Sequence, residues 1–598
     1  MDASRYWFRT VVSQLRPHFA ANGGPIVLVQ VENELDGASE DYVEWCSNMA
    51  NEELLRAFPP WGLPAVIMST PSDFGQAANE TISTCNAADC VAGAFLKTRG
   101  RNGRVLVDHP ALLTELEGGF QVWGESVSNV TSYFYGRAPE DVAYSVARWF
   151  SRGGSLVNYY MLMGGNNYGT IAGASVTTAY AQDAPVCPDL VLHEPVFSHL
   201  SRLHQALARS AGTLLAHPAQ LDHGKQLGYP ELTAFDYGEL TFLENAGDEA
   251  HTVSWGGAEY TVAPRSILLV EHCTQSVRFD SADLTGETQG RRIITPVAAG
   301  LRWDAWAEPL LHNETRGLPA VVRAAPAELV STTAGLTEWL YYEINVSVDC
   351  ASADAHLRIT ASSSLALVVW VDGQPVAAAE DHKHDAARVH LEHAMALNTA
   401  FVADQPRALT ILAVAIGGAP NFEFDANSTR MLRGIVGDVR LGEHNLTSST
   451  WRMRPGLAGE HWRAPAGGRL PWAPAALLTA ASGTWLRTRF STPALPPRGG
   501  ACLLDLSGLG RGHAYINGHD AGRFWLIPRN DGSGRPTQRY YHVPPDWLHI
   551  DQLNELVLFE DQGASNLTAV GIAISSLGTQ PAVLQLGREP RQVVPCEW

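Results

Sequence analysis

The sequence predicts an α/β unit followed by all-β sandwiches. Two observations carry this expectation. Over residues 1–205, continuous runs of β-branched and apolar residues alternate with stretches of helical periodicity, the signature of a parallel sheet covered by helices. After about residue 210 the runs become short, alternating and punctuated by Gly, Pro, Asn and Asp, as in antiparallel sandwiches. The 598 residues, at roughly 150 per domain, give about four units. The boundaries expected are 1–205, 206–280, 281–455 and 456–598, with a Pro-, Gly- and Ala-rich connector at 456–475.

Each element of the first unit has a local cause. Residues 4–20 read as an amphipathic helix, because Trp7, Val11, Val12, Leu15 and Phe19 recur at helical spacing. Asn22-Gly23-Gly24-Pro25 breaks it. Residues 26–31 form a continuous apolar run, expected as a strand buried on both faces and ending in Glu32-Asn33-Glu34. A helix is expected over 41–58, then buried strands at 64–68, near 82–85 and at 110–115, the last ending in Glu115. Residues 138–151 are helical, with Pro139 suited to the first turn. A final strand at 155–161 and a helix near 195–211 close the unit. Further on, 239–243, 365–371 and 554–559 are examples of the sandwich strands.

Apolar residues make up 45% and charged residues 17%, so the chain can bury large cores and disorder is excluded as its main state. The 42 Lys and Arg against 62 Asp and Glu leave a net charge of −20. A field of that sign repels phosphate backbones and no basic cluster offsets it, so no nucleic acid partner is expected. No apolar run reaches the roughly 18 residues of a membrane span. The eight Cys contain no C-x-x-C joined to a second pair or to a His pair, so no zinc site is expected. Seven N-x-S/T sequons stand at Asn79, Asn129, Asn313, Asn345, Asn427, Asn445 and Asn566. Cysteines and sequons together favour the secretory route, although the chain opens Met-Asp-Ala-Ser-Arg-Tyr-Trp without an apolar signal segment.

The candidate chemistry lies in acids at strand ends, where parallel α/β folds carry their sites. Glu32 and Glu34 alternate, so both are expected to face one side of their strand. Glu115 ends another strand, and Glu117 follows two residues later. Paired carboxylates serve as acid/base and nucleophile in glycoside hydrolysis. From the pattern alone Glu32 rivals Glu34, Glu117 rivals Glu115, and all four read equally as solvated strand-end acids.

Longer motifs narrow this. Residues 23–34, Gly-Gly-Pro-Ile-Val-Leu-Val-Gln-Val-Glu-Asn-Glu, closely resemble the acid/base segment of glycoside hydrolase family 35, the β-galactosidases. Thr84-Cys85-Asn86 with Cys90 resembles that family's T-C-N-x-x-x-C, and Pro110 to Gly124 resembles its nucleophile segment. Gly153-Gly154-Ser155-Leu156-Val157-Asn158-Tyr159-Tyr160-Met161, Gly164-Gly165-Asn166-Asn167-Tyr168-Gly169 and Thr178-Ala179-Tyr180 with Asp183-Ala184-Pro185 continue the likeness. The C-terminal half is similar to the plant-type branch, through Trp370-Val371-Asp372-Gly373, Leu504 to Gly512, Ile516-Asn517-Gly518, Gly522-Arg523-Phe524-Trp525, Gln538 to Pro544 and Leu556 to Glu560. Trp370 and Trp525 are expected in sandwich cores rather than as sugar platforms.

The resemblance implies a partial (β/α)8 TIM barrel, strands 4 to 8, followed by galactose-binding-like jelly-roll sandwiches at 281–455 and 456–598. It implies Glu34 as general acid/base and Glu115 as nucleophile, with Asn33, Tyr160 and Glu32 binding the sugar. It implies a retaining hydrolase releasing terminal β-galactose by double displacement. The partner is then a carbohydrate, with no cofactor, no metal and no membrane, and the parent protein travels the secretory route. Two other readings fit the same residues: a non-catalytic carbohydrate-binding protein, and an inactive fragment of a β-galactosidase.

The sequence departs from the family in named places. Glu117 replaces an aromatic two positions after the nucleophile, and Gly119 replaces the aromatic before Phe120. Leu35-Asp36 stands where Tyr-Gly is usual, and Asn166 where Thr is usual. An added carboxylate at Glu117 is expected to raise a neighbour's pKa. The W-N-x-H-E-P and R-x-G-P-Y-x-x-x-E-W segments of strands 1 to 3 have no counterpart, and residues 1–20 resemble the helix before strand 4. The expectation is an open five-stranded piece with two unpaired edges, in a chain starting at an internal Met of a longer parent.

Overall fold

Helix α1 (Asp2–Leu15) is shorter than the periodicity suggests. It ends in a 3-10 turn over Arg16–His18, where Pro17 has no N–H to continue the ladder. Helix α2 (Glu40–Ala57) is capped by the Ser39 side chain, which accepts from the Tyr42 N–H. It buries Val43, Cys46, Ala50 and Leu54 at helical spacing. Arg5 and Arg9 of α1 pair with Glu53 and tie the two helices together. The computed structural model describes residues 1–34, 39–70, 81–90, 97–99, 105–108, 110–119, 121–125, 137–173, 177–181, 184–216, 224–285, 291–310, 317–362, 364–381, 391–416, 432–475, 481–492, 500–564 and 566–578.

The first sheet is built from β1 (Leu28–Gln30), β2 (Ala65–Thr70), β3 (Ile82–Ala87), β6 (Ala111–Glu117) and β7 (Gly154–Tyr160). A two-stranded hairpin, β4 (Lys97–Arg99) with β5 (Val105–Asp108), lies between β3 and β6 in the chain and has no sequence forerunner. The order is β1-β2-β3-β6-β7, and every neighbouring pair is parallel. Among the described residues β1 and β7 each pair on one side only, so the sheet is open, as expected for a half-barrel. The edge position explains why β1 is three residues long and why Val27, read as buried, is 57% exposed. Strand β6 continues through Glu117 instead of stopping at Glu115.

Helix α3 (Pro139–Ser151) and helix α4 (Val196–Arg209) cover one face. Trp149 is wedged against Gly154, where an added Cβ would sit 2.3 Å from the indole. The same indole donates to the Leu156 carbonyl at 3.0 Å. The strands of residues 225–280 then pack on these helices. Phe235, Phe242, Leu269 and Phe279 share a core with α3 and α4, and Tyr144 donates to Glu244 at 2.8 Å.

Two sandwiches follow. One sets a six-stranded sheet containing Trp339–Val346, Leu365–Val371 and Arg407–Ala415 against a four-stranded sheet containing His356–Ala361 and Ile435–Leu441. The other sets six strands, including Thr484–Ser491 and Leu553–Glu560, against four, including Gly500–Asp505 and Gly571–Gly578. Arg291–Ala298 pairs with Gly571–Gly578, and Asp304–Ala307 pairs with Thr484–Ser491. Sheet membership therefore respects a cut at 455 but not one at 281. Residues 291–307 belong with the last sandwich, and the strands of 321–455 are inserted within it.

The two six-stranded sheets face each other across a shared core that includes Trp339, Tyr341, Trp485 and Phe559. Residues 365–371 are consequently buried throughout instead of alternating. Leu365, Leu367 and Val369 enter one core, while Ala366, Val368 and Trp370 enter the other. Trp370 and Trp525 are core residues, as expected. Among the described residues no helix is long and apolar enough to cross a membrane.

Candidate active site

The acids collect at the carboxyl ends of β1 and β6. The chain leaves the extended conformation after Gln30, and Glu32 and Glu34 both adopt positive φ, 97° and 52°. Such backbone is costly for a residue with a Cβ, and it overturns the expectation that strand alternation puts the two acids on one face. The Glu32 carboxylate turns to α2 and accepts from the Tyr42 hydroxyl. That bond, with burial, holds the Tyr42 phenol well above its ordinary pKa. Asn33 is exposed, and its Oδ1 accepts from Gln30 at 3.0 Å and from Asn86 at 3.3 Å.

Glu34, Glu115 and Glu117 come together. One carboxylate oxygen of each lies within 4.8 Å of the other two. Burial raises the Glu115 pKa, and the Glu34 charge adds to it, while a hydrogen bond from Asn86 opposes the rise. Burial pushes Glu117 up to about 7, with Glu34 and then Glu115 adding to it and Arg137 opposing. The neighbour-effect anticipated from the extra acid therefore falls most heavily on Glu117 itself. Oxygen donors grouped this way suit a hard divalent cation by type. A retained proton relieves the same repulsion.

Two positioning residues were not singled out from the sequence. Asn86 is 1% exposed, and its Nδ2 lies 3.4 Å from Glu34 Oε1. Its Oδ1 accepts from the Thr114 hydroxyl at 2.8 Å, which fixes the amide with its N–H groups toward the acids. The signal available was a polar residue inside the Thr84-Cys85-Asn86 motif on a buried strand. Beside it, Cys85 and Cys90 form a disulfide. Arg137, buried just before α3, donates to the carbonyls of Ala88 at 2.7 Å and Glu117 at 3.0 Å, and to Asp141 and Ser145. A lone Arg ahead of a helix carries no such signal.

Tyr160 ends β7, its hydroxyl 3.0 Å from that of Tyr180. Burial raises its pKa, and Glu115, Glu117 and Glu34 add to the rise, so the phenol faces the acid cluster. The back of the site rests on the last sandwich. Gly124 N–H donates to Thr537 Oγ1 at 2.8 Å, Ala179 N–H to Gln538 Oε1 at 3.0 Å, and Asn166 and Tyr168 reach His542 Nδ1 at 3.1 and 3.2 Å. Trp123 stands 5.7 Å from Trp525. The Gly522–Trp525 and Gln538–Pro544 motifs thus support the site's wall. Leu35, Asp36, Phe120 and Asp183 lie outside the described residues.

Residues 1–207 match glycosyl hydrolases family 35. Residues 483–553 match the galactose-binding domain of beta-galactosidase. Beta-galactosidase 3 of Oryza sativa subsp. japonica is 27% identical over 589 residues, covering 91% of this chain and 64% of its own length. Beta-galactosidase 11 of Arabidopsis thaliana is 28% identical over 582 residues, covering 91% and 62%. The chain therefore spans less than two thirds of the length of these relatives. Among solved structures, a calcium-binding mutant of Bacteroides uniformis beta-glucuronidase 2 aligns at a TM-score of 0.15 and 9% identity over 45% of this chain and 28% of that one, too low to bear on the argument. Residues 1–207 are thus similar to glycosyl hydrolases family 35 and residues 483–553 to the galactose-binding domain of beta-galactosidase, in a chain similar over most of its length to plant beta-galactosidases.

Proposed function

We propose that the protein is a retaining glycoside hydrolase acting on terminal β-galactosides, with Glu34 as acid/base and Glu115 as nucleophile. The observation that carries this reading is the approach of Glu34 and Glu115 oxygens to within 4.8 Å. Retaining enzymes hold their two carboxyls about 5–5.5 Å apart, whereas inverting enzymes leave room for a water at about 6.5–9.5 Å. In the first step Glu34 protonates the leaving oxygen while Glu115 attacks the anomeric carbon, giving a galactosyl ester. In the second, water hydrolyses the ester with Glu34 as base. Asn86 steers both acids, and Tyr160 borders the pocket. The five parallel strands read as strands 4 to 8 of a (β/α)8 barrel, a reading supported by the open sheet with the acids at its carboxyl ends.

The test is hydrolysis of an aryl β-galactoside by the full chain, and by a chain extended at its N-terminus with the three family strands. Glu115→Gln abolishes turnover in whichever form is active. Unchanged hydrolysis by that variant sinks the assignment. The second reading, a carbohydrate-binding protein without turnover, is favoured only by the galactose-binding match at 483–553. Galactose binding by the full chain that survives Glu115→Gln and Glu34→Gln, with no hydrolysis in either form, would establish it.

We also propose passage through the secretory route. The Cys85–Cys90 disulfide supports it, as does exposure of the sequon asparagines Asn345, Asn445 and Asn566. The other four, Asn79, Asn129, Asn313 and Asn427, lie outside the described residues. Mass analysis of the expressed glycoprotein at these three sites checks the proposal.

A further inference from the structure

We propose that Glu117 is a third working carboxyl of the site, a proton-holding residue that sets the charge the pocket presents to a sugar. The inference rests on the carbohydrate reading above. Glu117 shares β6 with Glu115 and is 8% exposed. Its backbone is pinned from both sides. It is register partner to Tyr160, its carbonyl accepts from Arg137 at 3.0 Å, and the next N–H, of Gly118, donates to the Tyr160 carbonyl at 3.1 Å. The backbone thus holds the side chain on the site face of β6, where its carboxyl is buried within 4.8 Å of oxygens of Glu34 and Glu115. The resemblance places an aromatic here, which would offer a stacking face. This chain offers an ionisable one.

Three like charges at such separations, half out of water, repel strongly, and one retained proton removes most of that repulsion. The groups facing Glu117 are Glu34 from the turn after β1, Glu115 on its own strand, Tyr160 on β7, and Arg137 ahead of α3. Among the described residues that act on Glu117 only Arg137 is positive, and its N–H groups reach the Ala88 and Glu117 carbonyls, Asp141 and Ser145. Burial and the two acids outweigh it, so Glu117 titrates at about 7. Below neutrality it is a neutral hydrogen-bond donor. Above neutrality its proton passes to solvent, and the pocket gains one negative charge.

The test measures binding of two ligands of galactose configuration to the full chain from pH 5.5 to 8.5. One is a permanently cationic, N,N-dimethylated iminosugar. The other is galactose itself. Wild-type affinity for the cation rises about tenfold or more across this range, affinity for galactose does not, and Glu117→Gln removes the rise. A rise that persists in Glu117→Gln, or no rise in the wild type, overturns the proposal. If neither ligand binds the wild type, the carbohydrate reading fails, and Glu117 is decided separately by carbon-13 NMR of labelled Glu carboxyls. One carboxyl titrating near neutrality vanishes in Glu117→Gln if the proposal holds. No such loss overturns it, and Glu117→Leu provides the same readout should the Gln variant fold poorly.

Discussion

Asn86 Nδ2 stands 3.4 Å from Glu34 Oε1, and the same amide opposes the rise that burial and Glu34 impose on the Glu115 pKa. One buried amide thus acts on two carboxyls, one from the turn after β1 and one from β6. Thr114 prevents the amide from flipping, because its hydroxyl donates to Asn86 Oδ1. Asn86→Asp keeps the shape but replaces the N–H donor by a fourth acid. We expect turnover of an aryl β-galactoside to fall about 100-fold or more in the active form, the scale at which lost orientation and charge complementarity are felt. Asn86→Ala should be milder. Equal activity of Asn86→Asp and wild type would show that the amide is only structural.

Stability should fall as pH rises from 5 to 9. Glu117, Glu460 and Glu560 are each pushed up to about 7, with burial the first cause in each. A carboxyl whose folded pKa lies above its unfolded value binds more protons when folded, so stability is highest below the unfolded value near 4.5 and declines until pH passes the folded value. From 4.5 to about 7 each contributes a decline of about 3 kcal/mol. His513 acts in the same direction. Asp520, 3.5 Å away, and the hydrogen-bonded Glu338 overcome burial and raise it to about 9, so its stabilisation is complete below 6.5 and lost as pH passes 9. Urea unfolding at pH 5, 7 and 9 measures the slope. Glu117→Gln should flatten it between pH 5 and 7.

The parallel strands at 65–70, 111–117 and 154–160 were legible as apolar runs near the expected positions, while 82–87, a mostly polar run, was read only as a shorter strand near 82–85. Glu34 and Glu115 were legible as parts of family motifs, and Glu117 as a departure from one. What the sequence hides is pairing at long range. Asn86 acquires its role through Thr114, 28 residues away. The Glu338–Arg523 pair joins residues 185 positions apart, and no local pattern marks either as buried. Strand alternation misread Glu32 because two positive-φ residues follow β1. It misread 365–371 because that strand lies between two cores.

Arg454 donates to Glu308 at 2.8 Å, with both side chains at or below 1% exposure. Glu308 comes from the first strands of the last sandwich and Arg454 from the inserted one, so the pair locks the two together. Glu308 also accepts from Trp485 at 2.8 Å and from the N–H groups of Ala458 and Gly459. Arg454→Met leaves the carboxylate buried without its cation. We expect a loss of about 3–5 kcal/mol, read by urea unfolding. Adding Glu308→Gln should recover part of it, since the uncompensated charge is then gone. No recovery in the double variant would assign the loss to packing against Tyr341, over which the guanidinium sits at 4.4 Å.

The Cys85–Cys90 disulfide closes a loop with a separation of five residues, and its first cysteine directly precedes Asn86. A loop so short removes little chain entropy, so replacing both cysteines by Ser should cost only about 2 kcal/mol. Both sulfurs are buried, at 0% and 1%, so reductant should leave the bond intact until the chain opens. The larger consequence should lie in the site. Without the link the end of β3 is free to shift, and Asn86 with it. The double Ser variant should therefore lose more turnover than its modest stability change implies, with Glu115 released from the hydrogen bond that restrains its pKa and its carboxyl titrating higher in carbon-13 NMR. Turnover that falls only in step with unfolded fraction would confine the disulfide to a structural role.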